Sequence, residues 1–326
     1  MINLIDNLPD DIEQAIEMNK DFNPGYKGIK NVCIGGMGGS AIGGDIALAY
    51  AAQVSDIPFS VIRGYDLPKF VDSHTLFLGI SYSGNTEETI TLYKKAKKKK
   101  AKIVVVTSNG IFEDLAKKEN IPHVLVPKGY PPRAAVGYLF ISTLFILKNQ
   151  GIIDVKVKDL KELITILRSE KENARMWAET ISQKVKEKIP FIYAPEIYQP
   201  VAKRWVTQIN ENSKALAHFA TFPELDHNEI VGWENPREIL KRFFLFVLRD
   251  RNEDERINKR INATLELIKD YVSEIVEIYA SGESYLAKVF SLIQKGDYLS
   301  YFLALNYGME PLPVKRIEEL KRIMAE

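Results

Sequence analysis

The chain has 326 residues, enough for about two domains with sizeable cores. Its 44 basic and 43 acidic residues leave a net charge of +1, so no global field favours a nucleic acid or an anionic membrane. An anionic ligand has to be held by local geometry. A single cysteine, Cys33, excludes an internal disulfide framework and fits a reducing compartment. The acidic opening MINLIDNLPDDIEQAIEMNK lacks the basic start and apolar core of a secretory signal, and no apolar run approaches ~18 residues. The expectation is a cytoplasmic protein without a membrane span.

From the N-terminus, five short β-branched runs read as strands: NVCIGG, PFSVIRG, TLFLGIS, KIVVVTS and PHVLVP. Helix-compatible stretches lie between them at 40–53, 86–100 and 111–119, and RAAVGYLFISTLFILKN reads as a buried helix that closes the unit. This alternation predicts a doubly wound parallel sheet with helices on both faces. The run YKKAKKKKAK precedes a buried strand and reads as a solvated helix face rather than a polyanion site.

A charged helical stretch over about 156–188 leads to a second alternation. Here PFIYAPE, KALAHFA, FFLFVLRD and SEIVEIYA are the strands, with helices near 199–210, 254–270, 283–306 and 314–325. The second half repeats the first half's architecture without evident identity, which places a boundary near residue 152 between domains 1–152 and 153–326.

Several stretches carry chemistry. CIGGMGGSAIGGDI follows a strand and opens a helix, and its Gly36-x-Gly38-x-x-Ala41 spacing meets a relaxed dinucleotide fingerprint. The ribose-binding acid such a site needs has only ambiguous candidates, Asp56 and Asp66, and Ser40 adds a hydroxyl that such a site does not require. In ISYSGNTEET, Asn85 with Glu88 forms a possible helix cap and capping box. A cap does not need Ser81, Ser83 and Thr86 as well. Hydroxyls clustered at a helix start suit an anion such as a phosphate monoester.

In RWVTQINENSK, Arg204, Gln208 and Glu211 fall at i, i+4 and i+7 on one polar stripe, opposite Val201, Trp205 and Ile209. A carboxylate there is a candidate general base. None of the four histidines has metal-ligand spacing, so no metal site is expected. His227 stands out in FPELDHNEIVGW, where polar residues sit between apolar ones.

These motifs follow the order seen in one family. With Gly-Gly-Ser at 38–40, SYSGNTEET at 81–89, PPRAA at 131–135, NENSK at 210–214 and ELDHNEIVGW at 224–233, the chain resembles the bifunctional phosphoglucose/phosphomannose isomerases. These are built from two sugar-isomerase (SIS) domains. The resemblance implies that Gly39, Ser40, Ser81, Ser83 and Thr86 hold a sugar phosphate. It implies that Arg133 stabilises an enediolate, that Glu211 moves a proton between C2 and C1, and that His227 opens the sugar ring. A C-terminal lysine assists ring opening in the family; Lys321 fits best, with Lys315 as the alternative. At 311–313 the chain has PLP where relatives have PTP, so Leu312 replaces a threonine implicated in handling C2 epimers.

Aldose–ketose isomerisation needs a base beside a carbonyl, a donor for the oxyanion and an acid to open the ring, and no redox cofactor or metal. The resemblance further implies a homodimer in which His227 reaches the partner's Glu211. The apolar Ile230, Val231 and Trp233, expected to be exposed in a loop, fit such an interface. The rival readings are a sugar-phosphate-binding regulator, a glucosamine-6-phosphate isomerising domain and an NAD-dependent oxidoreductase.

Overall fold

A computed structural model describes residues 1–325. The chain divides into two compact units, one over Asp6–Thr165 and the other joining Met1–Ile5 to the chain from Ile166 onward.

In the Asp6–Thr165 unit, β1 (Asn31–Gly35), β2 (Phe59–Ile62), β3 (Thr75–Ser81), β4 (Lys102–Thr107) and β5 (His123–Leu125) form one parallel sheet. Its order is β2-β1-β3-β4-β5. The apolar runs are continuous rather than alternating because helices cover both faces, and every residue of β3 is buried. Cys33, Phe77, Tyr93, Val105 and Phe112 share one core cluster, with Tyr93 meeting Phe112 edge to face at 5.5 Å. Burial pushes the Cys33 thiol up to about 12. RAAVGYLFISTLFILKN splits into a 3-10 turn, Pro132–Ala134, and the almost wholly buried helix Val136–Asn149.

In the other unit, β6 (Ile189–Pro195), β7 (His218–Phe222), β8 (Phe243–Arg249) and β9 (Glu274–Tyr279) are again parallel, in the order β7-β6-β8-β9. This order matches β2-β1-β3-β4, so the second sheet repeats the first less its last strand. The charged stretch expected over 156–188 is two helices: Val157–Ser169, most of which belongs to the Asp6–Thr165 unit, and Lys171–Val185 in this one. Val201, Trp205 and Ile209 are fully buried, as their spacing predicts, and Trp205 Nε1 donates to the Leu292 carbonyl at 2.9 Å. Among the described residues no helix is long and apolar enough to cross a membrane.

Candidate active site

The first sheet changes direction between β1 and β3, which pair directly through Gly35 and Gly79. Loops leaving the carboxyl ends of such strands line the crevice where open α/β sheets bind ligands. Both glycine- and serine-rich motifs leave from there: residues 36–40 follow β1, and residues 82–86 follow β3.

Ser81 is buried and Thr86 half-buried, and their hydroxyls lie 2.9 Å apart, sharing one hydrogen bond. That bond uses one of their two protons and leaves the other for an anion. Helix Glu87–Lys98 starts at Thr86, and no side chain caps it, so its first amides stay without a side-chain acceptor. The cap expected from Asn85 and Glu88 is therefore absent. Asn85 turns instead to the start of the neighbouring helix, Gly110–Lys118, where its Oδ1 accepts from the Ile111 amide at 3.0 Å. Gly84 is obligatory in this turn: its φ is +68°, and a β-carbon would stand 1.7 Å from the Asn109 carbonyl oxygen. Ser83 is half-buried, and its Oγ lies 3.4 Å from the Asn85 amide. The buried Ser40 accepts the Tyr82 amide at 3.2 Å, tying the two loops together.

Arg133 joins the same place from the turn Pro132–Ala134 and is buried. A β-carbon at Gly39 would lie 2.8 Å from the Arg133 Cα, so only glycine lets the two backbones meet. In the Asp6–Thr165 unit the turns carrying Gly39, Ser40, Ser81, Ser83 and Thr86 thus adjoin the turn that carries Arg133. Such a set can hold a phosphate monoester and offset charge developing on the same molecule.

In the other unit, the helix expected over 199–210 ends at Gln208 and continues as a single π turn, Ile209–Ser213, carrying Glu211. Turns of this kind concentrate at functional sites. The polar stripe expected from Arg204, Gln208 and Glu211 does not form. Arg204 and Gln208 are buried and share Asp297: Arg204 donates from Nε at 3.1 Å and from a terminal nitrogen at 2.6 Å, and Gln208 at 3.0 Å. Glu211 is left half-buried on the π turn. The rest of NENSK anchors that turn. Asn212 donates to Ser300 Oγ at 2.9 Å and Ser213 to the Ser300 carbonyl at 2.7 Å. Lys214, in the left-handed region at φ +55°, donates to the carbonyls of Glu211, Glu310 and Pro311.

His227 ends a 3-10 turn, Glu224–His227, and is exposed. Its flanks are fastened. Asp226 accepts from Thr264 at 2.7 Å, Leu225 is buried, and Glu229 accepts from Tyr193 at 2.6 Å and lies 3.0 Å from His218 Nε2. Of Ile230, Val231 and Trp233, all expected to be exposed, only Val231 is, at 65%. Trp233 is 4% exposed and donates to Tyr193 at 3.0 Å, and Ile230 packs against the same core. Lys321 and Lys315 both lie exposed on the helix Lys315–Ala325.

Spacing alone had passed over Asp297 and Lys214. The only signal for Lys214 was its place in NENSK, and none pointed to Asp297. A cleft of about 460 Å³ elsewhere in this unit, lined among others by Trp177, Arg251, Tyr279 and Lys295, contains none of the expected site residues. Among the described residues, no group of three or more His, Cys, Asp or Glu side chains is placed to hold a metal ion.

Comparison with known proteins accounts for both units. Residues 26–119 match the SIS domain family, and residues 175–324 match the bacterial phospho-glucose isomerase C-terminal SIS domain. A Caldicellulosiruptor bescii protein named bifunctional phosphoglucose/phosphomannose isomerase is 40% identical over 336 residues, covering 100% of this chain and 99% of its own. A Sulfolobus acidocaldarius protein named D-glucosamine-6-phosphate 4-epimerase is 31% identical over 81% of this chain and 82% of its own. The C-terminal domain of glucosamine-fructose-6-phosphate aminotransferase from Francisella tularensis shares the fold. Its TM-score is 0.75 at 19% identity, covering 95% of this chain and 97% of that one. The full-length match, together with the motifs that build both units, means that the chain belongs to the bifunctional phosphoglucose/phosphomannose isomerase family.

Proposed function

We propose that the protein interconverts glucose 6-phosphate and mannose 6-phosphate with fructose 6-phosphate through a cis-enediol intermediate. The observation that supports this reading is the backbone contact between Gly39 and Arg133, which brings the Arg133 backbone to the turn that carries Ser40, itself bonded to the loop of Ser81, Ser83 and Thr86. Gly39 and the cradle hold the phosphate with uncharged donors, so product leaves as readily as substrate binds. His227 protonates the ring oxygen and opens the pyranose, assisted by Lys321 or, alternatively, Lys315. Glu211 removes the C2 proton and returns it at C1, and Arg133 offsets the enediolate charge between the two steps. The chemistry calls for no metal or redox cofactor. The working unit is a homodimer in which His227 of one chain serves Glu211 of the other. Family membership supports this arrangement; the buried Trp233 and half-buried Ile230 do not add to it.

The test is a coupled assay with each aldose phosphate in excess chelator, scored by formation of fructose 6-phosphate. Turnover of both is expected. Stabilisation by fructose 6-phosphate without turnover would favour a sugar-phosphate-binding regulator. Conversion of glucosamine 6-phosphate to its C4 epimer, without ketose formation, would favour the reaction named for the Sulfolobus relative.

A further inference from the structure

We propose that Tyr82 is a positioning residue for the isomerisation, its phenol holding the segment that delivers Arg133 while its backbone holds the phosphate cradle. The inference rests on the reading of Arg133 given above.

Tyr82 follows Ser81 at the end of β3 and is 5% exposed. Its amide donates to Ser40 Oγ at 3.2 Å, and its carbonyl accepts from the Ser108 amide at 3.0 Å and the Ser108 hydroxyl at 2.7 Å. The backbone of one residue therefore joins the start of the helix after β1, Gly38–Val54, to the loops after β3 and β4. The side chain reaches a fourth segment: its hydroxyl donates to the Pro127 carbonyl at 2.9 Å and accepts from the Tyr130 amide at 2.8 Å. The far end of that segment is held separately, by the Tyr130 hydroxyl donating to Asp11 at 2.7 Å.

Between Tyr130 and Arg133 stand only Pro131 and Pro132, whose rings fix φ. The Ala134 amide then closes onto the Pro131 carbonyl at 2.8 Å. This connection is stiff, so a displacement at Tyr130 passes to Arg133 instead of dissipating in a loop. Nor can Arg133 move toward the cradle, because Gly39 already touches its Cα. The Tyr82 hydroxyl thus controls where the Arg133 backbone, the root of the guanidinium, stands. A phenylalanine would fill the same volume and keep every backbone bond, but would leave the Pro127 carbonyl and the Tyr130 amide without this partner.

The test compares Tyr82→Phe with the parent enzyme on fructose 6-phosphate. Misplacing a charge-stabilising group lowers kcat, so a fall of about ten- to a hundredfold is expected. The cradle is intact, so KM should stay within about twofold. Tyr93→Phe removes another buried phenol, one that donates to Glu119, and should leave both constants unchanged. Parent-like kcat in Tyr82→Phe would overturn the proposal, as would a raised KM with kcat unchanged. Should Tyr82→Phe fail to fold, Pro131→Gly, which keeps both Tyr82 hydroxyl bonds but makes the connection from Tyr130 to Arg133 flexible, should lower kcat several-fold at constant KM, and an unchanged kcat there would count against the proposal equally. Arg133→Ala separates the two levels of inference. Full activity in Arg133→Ala overturns the reading of Arg133 itself, whereas loss in Arg133→Ala with none in Tyr82→Phe overturns only the role of Tyr82.

Discussion

Gly39 and Arg133 meet backbone to backbone, with room for a hydrogen but not a methyl group: an added β-carbon would stand 2.8 Å from the Arg133 Cα and 2.9 Å from the Pro132 carbonyl oxygen. Neither atom belongs to a flexible side chain, so Gly39→Ala has to push the two loops apart. Misplacements near 1 Å cost about a hundredfold in rate. The expected result is a kcat loss of that order in a variant that still folds, measured by steady-state kinetics with circular dichroism as the check.

Thr86→Ala removes one of two hydroxyls that lie 2.9 Å apart and frees Ser81 to turn. Phosphate contacts exist in ground and transition states alike, so KM for sugar phosphates should rise more than kcat falls. A lost hydrogen bond to a charged group is worth about 1.5–3 kcal/mol in kcat/KM. An unchanged kcat/KM would remove Thr86 from the site.

Glu211→Gln keeps the shape of the side chain on the π turn but cannot take the C2 proton. General-base catalysis contributes roughly 10²–10⁴-fold, and kcat should fall by that factor. Thermal unfolding should be unaltered, because the turn is anchored by Asn212, Ser213 and Lys214. A loss below about tenfold would move the base elsewhere.

Asp297→Ala is expected to act on stability. It strips the buried Arg204 of a two-pronged carboxylate partner and takes an acceptor from Gln208. Breaking a buried pair from one side costs about 3–5 kcal/mol. Thermal scans at fixed rate should show a Tm lowered by about 10 °C. A Tm within about 2 °C of the parent would show that the pair contributes little.

If His227 serves Glu211 of a second chain, two crippled proteins should rescue one another. A heterodimer of Glu211→Gln and His227→Ala chains then holds one doubly defective site and one intact site. Mixing and subunit exchange should restore substantial activity. Mass spectrometry has to show the heterodimer in the same sample; a mixture containing it, yet no more active than its components, would rule out the shared site.

KALAHFA was read too early, since the strand there is His218–Phe222 and 214–217 lie before it. Most strand positions were legible, because a sheet covered on both faces writes itself as unbroken apolar runs such as KIVVVT. The same holds for Val201, Trp205 and Ile209, whose burial needs only the helical period. The glycine- and hydroxyl-rich loops were legible too, since Gly84 at φ +68° is a local backbone requirement. Polar side chains were the ones misjudged. Arg204 and Gln208 looked like part of a stripe with Glu211 because periodicity cannot distinguish water from Asp297, which lies on another helix. Asn85 looked like a cap because its partner, the Ile111 amide, belongs to the first turn of the next helix, Gly110–Lys118. Trp233 looked exposed because the Tyr193 hydroxyl that receives its indole N–H comes from a strand forty residues earlier. Apolar burial follows from local pattern because the hydrophobic effect has no direction. A hydrogen bond needs one partner at one distance and angle, and which partner arrives is settled only when distant segments pack together.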